Sequence, residues 1–176
     1  MKMFENIRAA ALTLAFAGVL SGPAGADGPR LVGAGTTAEQ PFPFSLALEL
    51  SDRARSTLGD RGEQIVVAAA YYGNPTPEGS EHANEVGQIG LGREEVQVPA
   101  EPGDVEITGS GIEADSLQWV EGELMVNVNV YSARLSSNDN LIRCDFIDGP
   151  LAVVSSKPVT LRCALIEENM ETEWKP

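Results

Sequence analysis

Eight helix breakers fall between residues 86 and 111: Gly87, Gly90, Gly92, Pro99, Pro102, Gly103, Gly109 and Gly111. Proline removes a backbone donor and glycine raises the entropy lost on ordering, so no helix of ordinary length fits there. What lies between the breakers must be short and extended. The candidates are Val86 to Leu91, Glu95 to Val98, and Asp104 to Thr108.

The rest of the chain repeats the pattern with clearer periodicity. Phe44, Leu46, Leu48 and Leu50 alternate with smaller or polar residues, which is the signal of a half-buried strand. Ile65 to Tyr72 is an unbroken apolar run with a β-branched start and an aromatic end, and it predicts a central strand buried on both faces. Between these two, Ser51 is a candidate N-cap for a helical turn or two carrying Ala54 and Leu58, stopped by Gly59 and Gly62. Leu124 to Tyr131 places Val126, Val128 and Val130 on one side and Asn127, Asn129 and Tyr131 on the other. Leu141 to Phe146 and Val159 to Ile166 are two further alternating strands, with an Asp148-Gly149-Pro150 turn and a short Leu151–Val154 segment between them. Residues 167–176 read as an acidic, frayed tail.

About eight short strands with at most one short helix predict an all-β domain over residues 44–166, preceded by an extended lead-in at 27–43. The expected architecture is an antiparallel β-sandwich, immunoglobulin-like or transthyretin-like. The cysteine–tryptophan–cysteine order of true immunoglobulin domains is missing, because Trp119 precedes both cysteines. With 43% hydrophobic and 22% charged residues, the chain has enough apolar material to form a core.

Residues 1–26 carry the features of a secretory signal peptide. Lys2 and Arg8 precede an uncharged run from Ala9 to Leu20, Gly22-Pro23 breaks it, and Ala24-Gly25-Ala26 ends it with small residues. The run is shorter than the roughly 20 residues a bilayer span takes. Cleavage is expected between Ala26 and Asp27, leaving no transmembrane segment and implying a bacterial periplasmic or secreted protein. In that compartment Cys144 and Cys163 pair, since both point to the apolar side of their strands and neither belongs to a Cys-x-x-Cys motif.

The charge excludes whole classes of partner. Against 26 acidic residues stand 12 basic ones, a net charge of −14. Nucleic acid and anionic lipid both demand clustered cations. Recognisable catalytic or cofactor motifs are missing too. His82 is the only histidine, Gly-x-Ser-x-Gly does not occur, and Gly87 to Gly92 runs G-x-x-G-x-G with no helix pattern after it. No catalytic residue, cofactor or metal is therefore assigned. Asp139 and Asp145, with Asn138, Asn140 and Asp148 nearby, carry the oxygen donors for at most a weak calcium site, without EF-hand spacing.

Two features remain. Asn127, Asn129 and Tyr131, continued by Arg134, put amides, a phenol and one guanidinium on the side opposite the valines, a set suited to a protein, peptide or glycan partner. Tyr71-Tyr72 ends the Ile65 strand as either an aromatic rim or a packed strand end. The expected function is non-enzymatic binding or accessory work. Its rivals are a small secreted hydrolase using two carboxylates and a structural subunit of a surface assembly. The latter calls for an alternating N-terminal strand, which residues 27–43 do not supply.

Overall fold

A computed structural model describes residues 42–176. The expected leader at 1–26, its Ala26–Asp27 cleavage point and nearly all of the 27–43 lead-in lie outside the described residues.

Strands account for 48% of the described chain and helical turns for 20%, so the molecule is β-rich as the breaker density requires. In chain order the strands are β1 (Phe44–Leu50), β2 (Gln64–Pro75), β3 (Ile89–Pro99), β4 (Gly103–Ile107), β5 (Val120–Ser132), β6 (Ile142–Cys144), β7 (Phe146–Pro150), β8 (Val159–Leu165) and β9 (Trp174–Lys175). Two α-helical pieces join them, α1 (Asp52–Asp60) and α2 (Leu151–Val154), where at most one was expected. Helix α1 starts where its cap does. The Ser51 hydroxyl accepts the Ala54 N–H at 3.0 Å, and Ala54 and Leu58, one turn apart, are both fully buried.

The strands form two sheets, one in the order β4-β1-β8-β6 and the other in the order β3-β2-β5-β7-β9. The expectation of purely antiparallel pairing is corrected here. β1 runs parallel to β8 and β7 runs parallel to β9, so both sheets are mixed. Each parallel pair joins strands separated by a long excursion of the chain, which leaves their relative direction free of any hairpin constraint. The inner faces of both sheets contribute to one buried cluster. Leu46, Leu48 and Leu161 come from the first sheet, and Val67, Val126 and Ile147 from the second, each 2% exposed or less. Truncating any of the three leucines or Ile147 to alanine carries a cost of about 2–5 kcal/mol.

Three local readings change. The Ile65–Tyr72 run is central, lying between β3 and β5, but it is buried on one face only. Its outward positions include Ala68 and Ala70, which are small enough to leave that face open. The two segments expected from Val86 to Val98 merge into β3, with a bulge where two residues, Leu91 and Gly92, oppose Tyr71. Gly92 takes φ +98° there, and a Cβ on it would collide with the Gly111 carbonyl, so only glycine suits the crossing. The expected Leu141–Phe146 strand breaks at Asp145 into β6 and β7, and the expected 148–150 turn is part of β7.

The expected frayed tail is docked. Trp174 and Lys175 form β9 alongside Phe146 and Ile147 of β7. The reason is Asp145, which is 1% exposed and gathers its surroundings. It accepts hydrogen bonds from Arg162 Nε at 2.9 Å and from the Glu173 N–H at 2.8 Å. Gly149 completes the seat, because a side chain there would strike the backbone of Pro176.

Cys144 and Cys163 are joined, with an S–S distance of 2.02 Å, and sit directly opposite each other in the β6–β8 register. Both are buried, as their place on the apolar sides of the two strands predicts. Among the described residues no helix is long and apolar enough to cross a membrane.

Candidate binding cleft

Pairing β5 against β2 fixes which side chains share a face. Val126, Val128 and Val130 point into the core, so Asn127, Asn129 and Tyr131 stand on the outer face of the five-stranded sheet. Across the sheet they align with Ala70, Ala68 and Val66 of β2. Those β2 residues in turn face Arg93, Glu95 and Gln97 of β3. On the other flank Asn127 pairs with Asp148 of β7. One transverse row therefore reads Arg93, Ala70, Asn127, Asp148. Its second member is a methyl group between long polar neighbours, and that makes a depression.

Two tyrosines bracket it. Tyr72 reaches over β5 to donate its hydroxyl to Asp148 Oδ1 at 2.6 Å. Burial and that carboxylate push its phenol up to about 12. Tyr131 reaches over β2 to Glu95 Oε1 at 2.9 Å. Its phenol is also raised, first by burial and then by Glu95, with Arg93 and Arg134 opposing the rise. Both phenols stay protonated through the physiological range, so each ring is held in place by a hydrogen bond it donates. Between the brackets the Asn129 amide donates to Asn127, and Arg93 pairs with Glu95.

The concave part has a volume of about 700 Å³ and is lined by Ala70, Tyr72, Arg93, Asn127 and Asp148, with Asn84 and Gln88 from the loop before β3. That loop is self-supporting. Asn84 Oδ1 accepts the N–H groups of Val86 and Gln88, both at 3.0 Å, and Gly87 supplies a left-handed φ of +80°. The opposite rim is the 109–113 segment, tied to β3 by the Glu113 N–H on the Leu91 carbonyl at 2.7 Å.

Of the residues expected to bind, Asn127 lines the cleft, while Asn129 and Tyr131 continue the same face beyond it. Arg134 is exposed in the loop after β5 at φ +61°, outside the cleft lining. That loop is shaped by Glu63, which is 3% exposed and accepts the N–H groups of Leu135 and Ser136 at 3.0 and 2.8 Å. The Tyr71-Tyr72 alternatives are both realised. Tyr71 is packed in the core and Tyr72 forms the cleft wall. The Tyr71 hydroxyl is raised by burial and by Glu94 beside it. Neither that hydroxyl nor Glu94 Oε2 has a hydrogen-bond partner in good geometry among the described residues.

Three of the oxygen donors considered for calcium, Asp145, Asn140 and Asp148, are engaged elsewhere. Both Asp145 oxygens accept from Arg162 and its surroundings, and Asn140 Oδ1 accepts the Ser132 N–H at 2.9 Å. No group of three or more His, Cys, Asp or Glu side chains suited to a metal occurs among the described residues. His82 lies against Trp119 with ring centroids 4.5 Å apart.

Sequence reasoning missed Tyr72, Arg93 and Asp148 as a unit, because they come from three strands whose order no local pattern announces. The available signal was the run of three alanines, Ala68 to Ala70, of which the first and third take the outward positions of the strand. No family model, curated protein or solved structure matches this chain.

Proposed function

We propose that the protein is an exported, non-enzymatic binding module that receives a neutral glycan on the outer face of its five-stranded sheet. The two sheets enclosing one core are read as a β-sandwich, with function residing in the cleft. The single observation that carries the proposal is the depression of about 700 Å³ floored by Ala70 and lined by the amides of Asn84, Gln88 and Asn127, the Tyr72 phenol held by Asp148, and Arg93 paired with Glu95.

The chemistry favours sugar over peptide. Peptides gain much of their affinity by adding to a free strand edge. Here the floor strands β2 and β5 are paired on both sides, so a ligand meets side chains only. Amides offer donors and acceptors to hydroxyl groups. Arg93 is already paired with Glu95, and the chain is strongly acidic, so an anionic ligand gains little. The Cys144–Cys163 disulfide supports an oxidising, extracytoplasmic location.

The test is a neutral-glycan array probed with purified protein, followed by calorimetry on each hit. The double variant Asn127→Ala/Asn129→Ala should lose binding while its unfolding free energy moves by less than about 0.5 kcal/mol. A double variant that binds every hit at full strength refutes the cleft.

A further inference from the structure

Among the described residues Trp174 is the large aromatic side chain that the fold holds in place without covering. It is 64% exposed, yet its position is set twice over. Its backbone pairs with Phe146 of β7, and its indole Nε1–H donates to the Asp148 carbonyl at 2.7 Å. The register places it with Phe146 on the side of the sheet that carries Asp148 and Asn127, and therefore on the cleft face. Its one polar atom is consumed, so what it offers a ligand is an apolar ring. The seat is built for this. Asp145 fixes the Glu173 N–H, and Gly149 admits the Pro176 backbone.

We infer that Trp174 is a second subsite of the same cleft, a stacking platform for a further residue of a neutral oligosaccharide. This rests on the glycan reading above. β9 lies three strand spacings from β2, roughly 14 Å at 4.7–4.9 Å each, which exceeds one sugar ring. Asp148 is the link between the two parts. Its carboxylate holds the Tyr72 hydroxyl at the cleft wall, and its carbonyl holds the Trp174 indole beyond it. The pyranose C–H face suits an aromatic plane, while its hydroxyl rim suits the amides of Asn127 and Asn84. A chain of sugars thus meets polar and apolar subsites in succession, and a monosaccharide meets only one.

The probes are cellohexaose, chitohexaose and mannohexaose with their monosaccharides, titrated calorimetrically against the intact protein. For whichever hexaose binds, Trp174→Ala should weaken affinity by about tenfold or more, and Trp174→Phe by less. Monosaccharide binding should be unchanged. In a Trp119→Phe background Trp174 is the sole tryptophan, and hexaose should shift its emission. That measurement decides the matter if Trp174→Ala fails to fold. Hexaose affinity unchanged in Trp174→Ala, or emission unmoved on saturation, overturns the platform and leaves the cleft standing. Binding to none of the probes overturns the platform and the glycan reading together.

Discussion

Replacing Glu63 with glutamine probes how the structure carries a buried negative charge without a cation. Burial alone raises its pKa. Four hydrogen bonds outweigh that, from the Ser136 hydroxyl at 2.7 Å and the N–H groups of Ser136, Leu135 and Gln64 at 2.8, 3.0 and 3.1 Å. The balance takes the carboxyl from an ordinary 4.5 down to about 2. A pKa lower in the folded than in the unfolded state contributes stability that is complete above the unfolded value and disappears as pH falls through the folded one. The drop corresponds to about 3 kcal/mol, present at pH 7 and mostly gone by about pH 2. Asp145, Glu168 and Glu173 also have lowered pKa values, so wild type must be compared with Glu63→Gln at each pH. Urea unfolding from pH 7 to pH 2 should show Glu63→Gln less stable at neutrality, with the gap between the two proteins shrinking by about 3 kcal/mol on acidification. A gap that stays constant with pH would refute the reasoning, since a substitution acting only through packing has no proton to release.

Three further outcomes are expected. Non-reducing peptide mapping should recover Cys144 and Cys163 as one cross-linked pair, and Cys163→Ser should destabilise the protein by about 2–5 kcal/mol in denaturant titration. Asp145→Asn removes the buried carboxylate that accepts from Arg162 and from the Glu173 N–H, and it should lower stability in denaturant titration. Hydrogen exchange should then accelerate at Glu173, Trp174 and Lys175 ahead of the core strands. Mass spectrometry of the exported protein should place Asp27 at its N-terminus, and a membrane-retained chain still carrying Met1 would contradict export.

The elements most legible in the sequence are those whose stability is local. Ser51, Ala54 and Leu58 announce α1 because a cap and a four-residue spacing suffice to define a short helix. Val126, Val128 and Val130 announce β5 and the outward face of Asn127 because period-two burial admits one solution. The cysteines are legible for the same reason. Where the outcome depended on distant partners, the pattern was silent or misleading. Nothing within residues 141–146 says that Asp145 interrupts a strand, because its partners Arg162 and Glu173 arrive 17 and 28 residues later. Those same contacts turn an acidic tail into β9.

The cleft follows the second rule more than the first. Every strand contributing to it is individually ordinary, and its concavity exists only because Ala70 lies between Arg93 and Asn127 once β3, β2 and β5 are side by side. An alanine in an apolar run signals a strand buried on both faces when read alone. Set in a sheet whose neighbours present long polar side chains, the same alanine becomes a floor. The order β3-β2-β5-β7-β9 also brings Trp174 to the cleft face, although it lies beyond every other strand in the chain. The Asp145 carboxylate that docks the tail also sets where that indole stands, which couples the stability of the C-terminal strand to the shape of the cleft face. Loosening Asp145 should therefore change long-ligand binding before it changes the fold of β2 or β5.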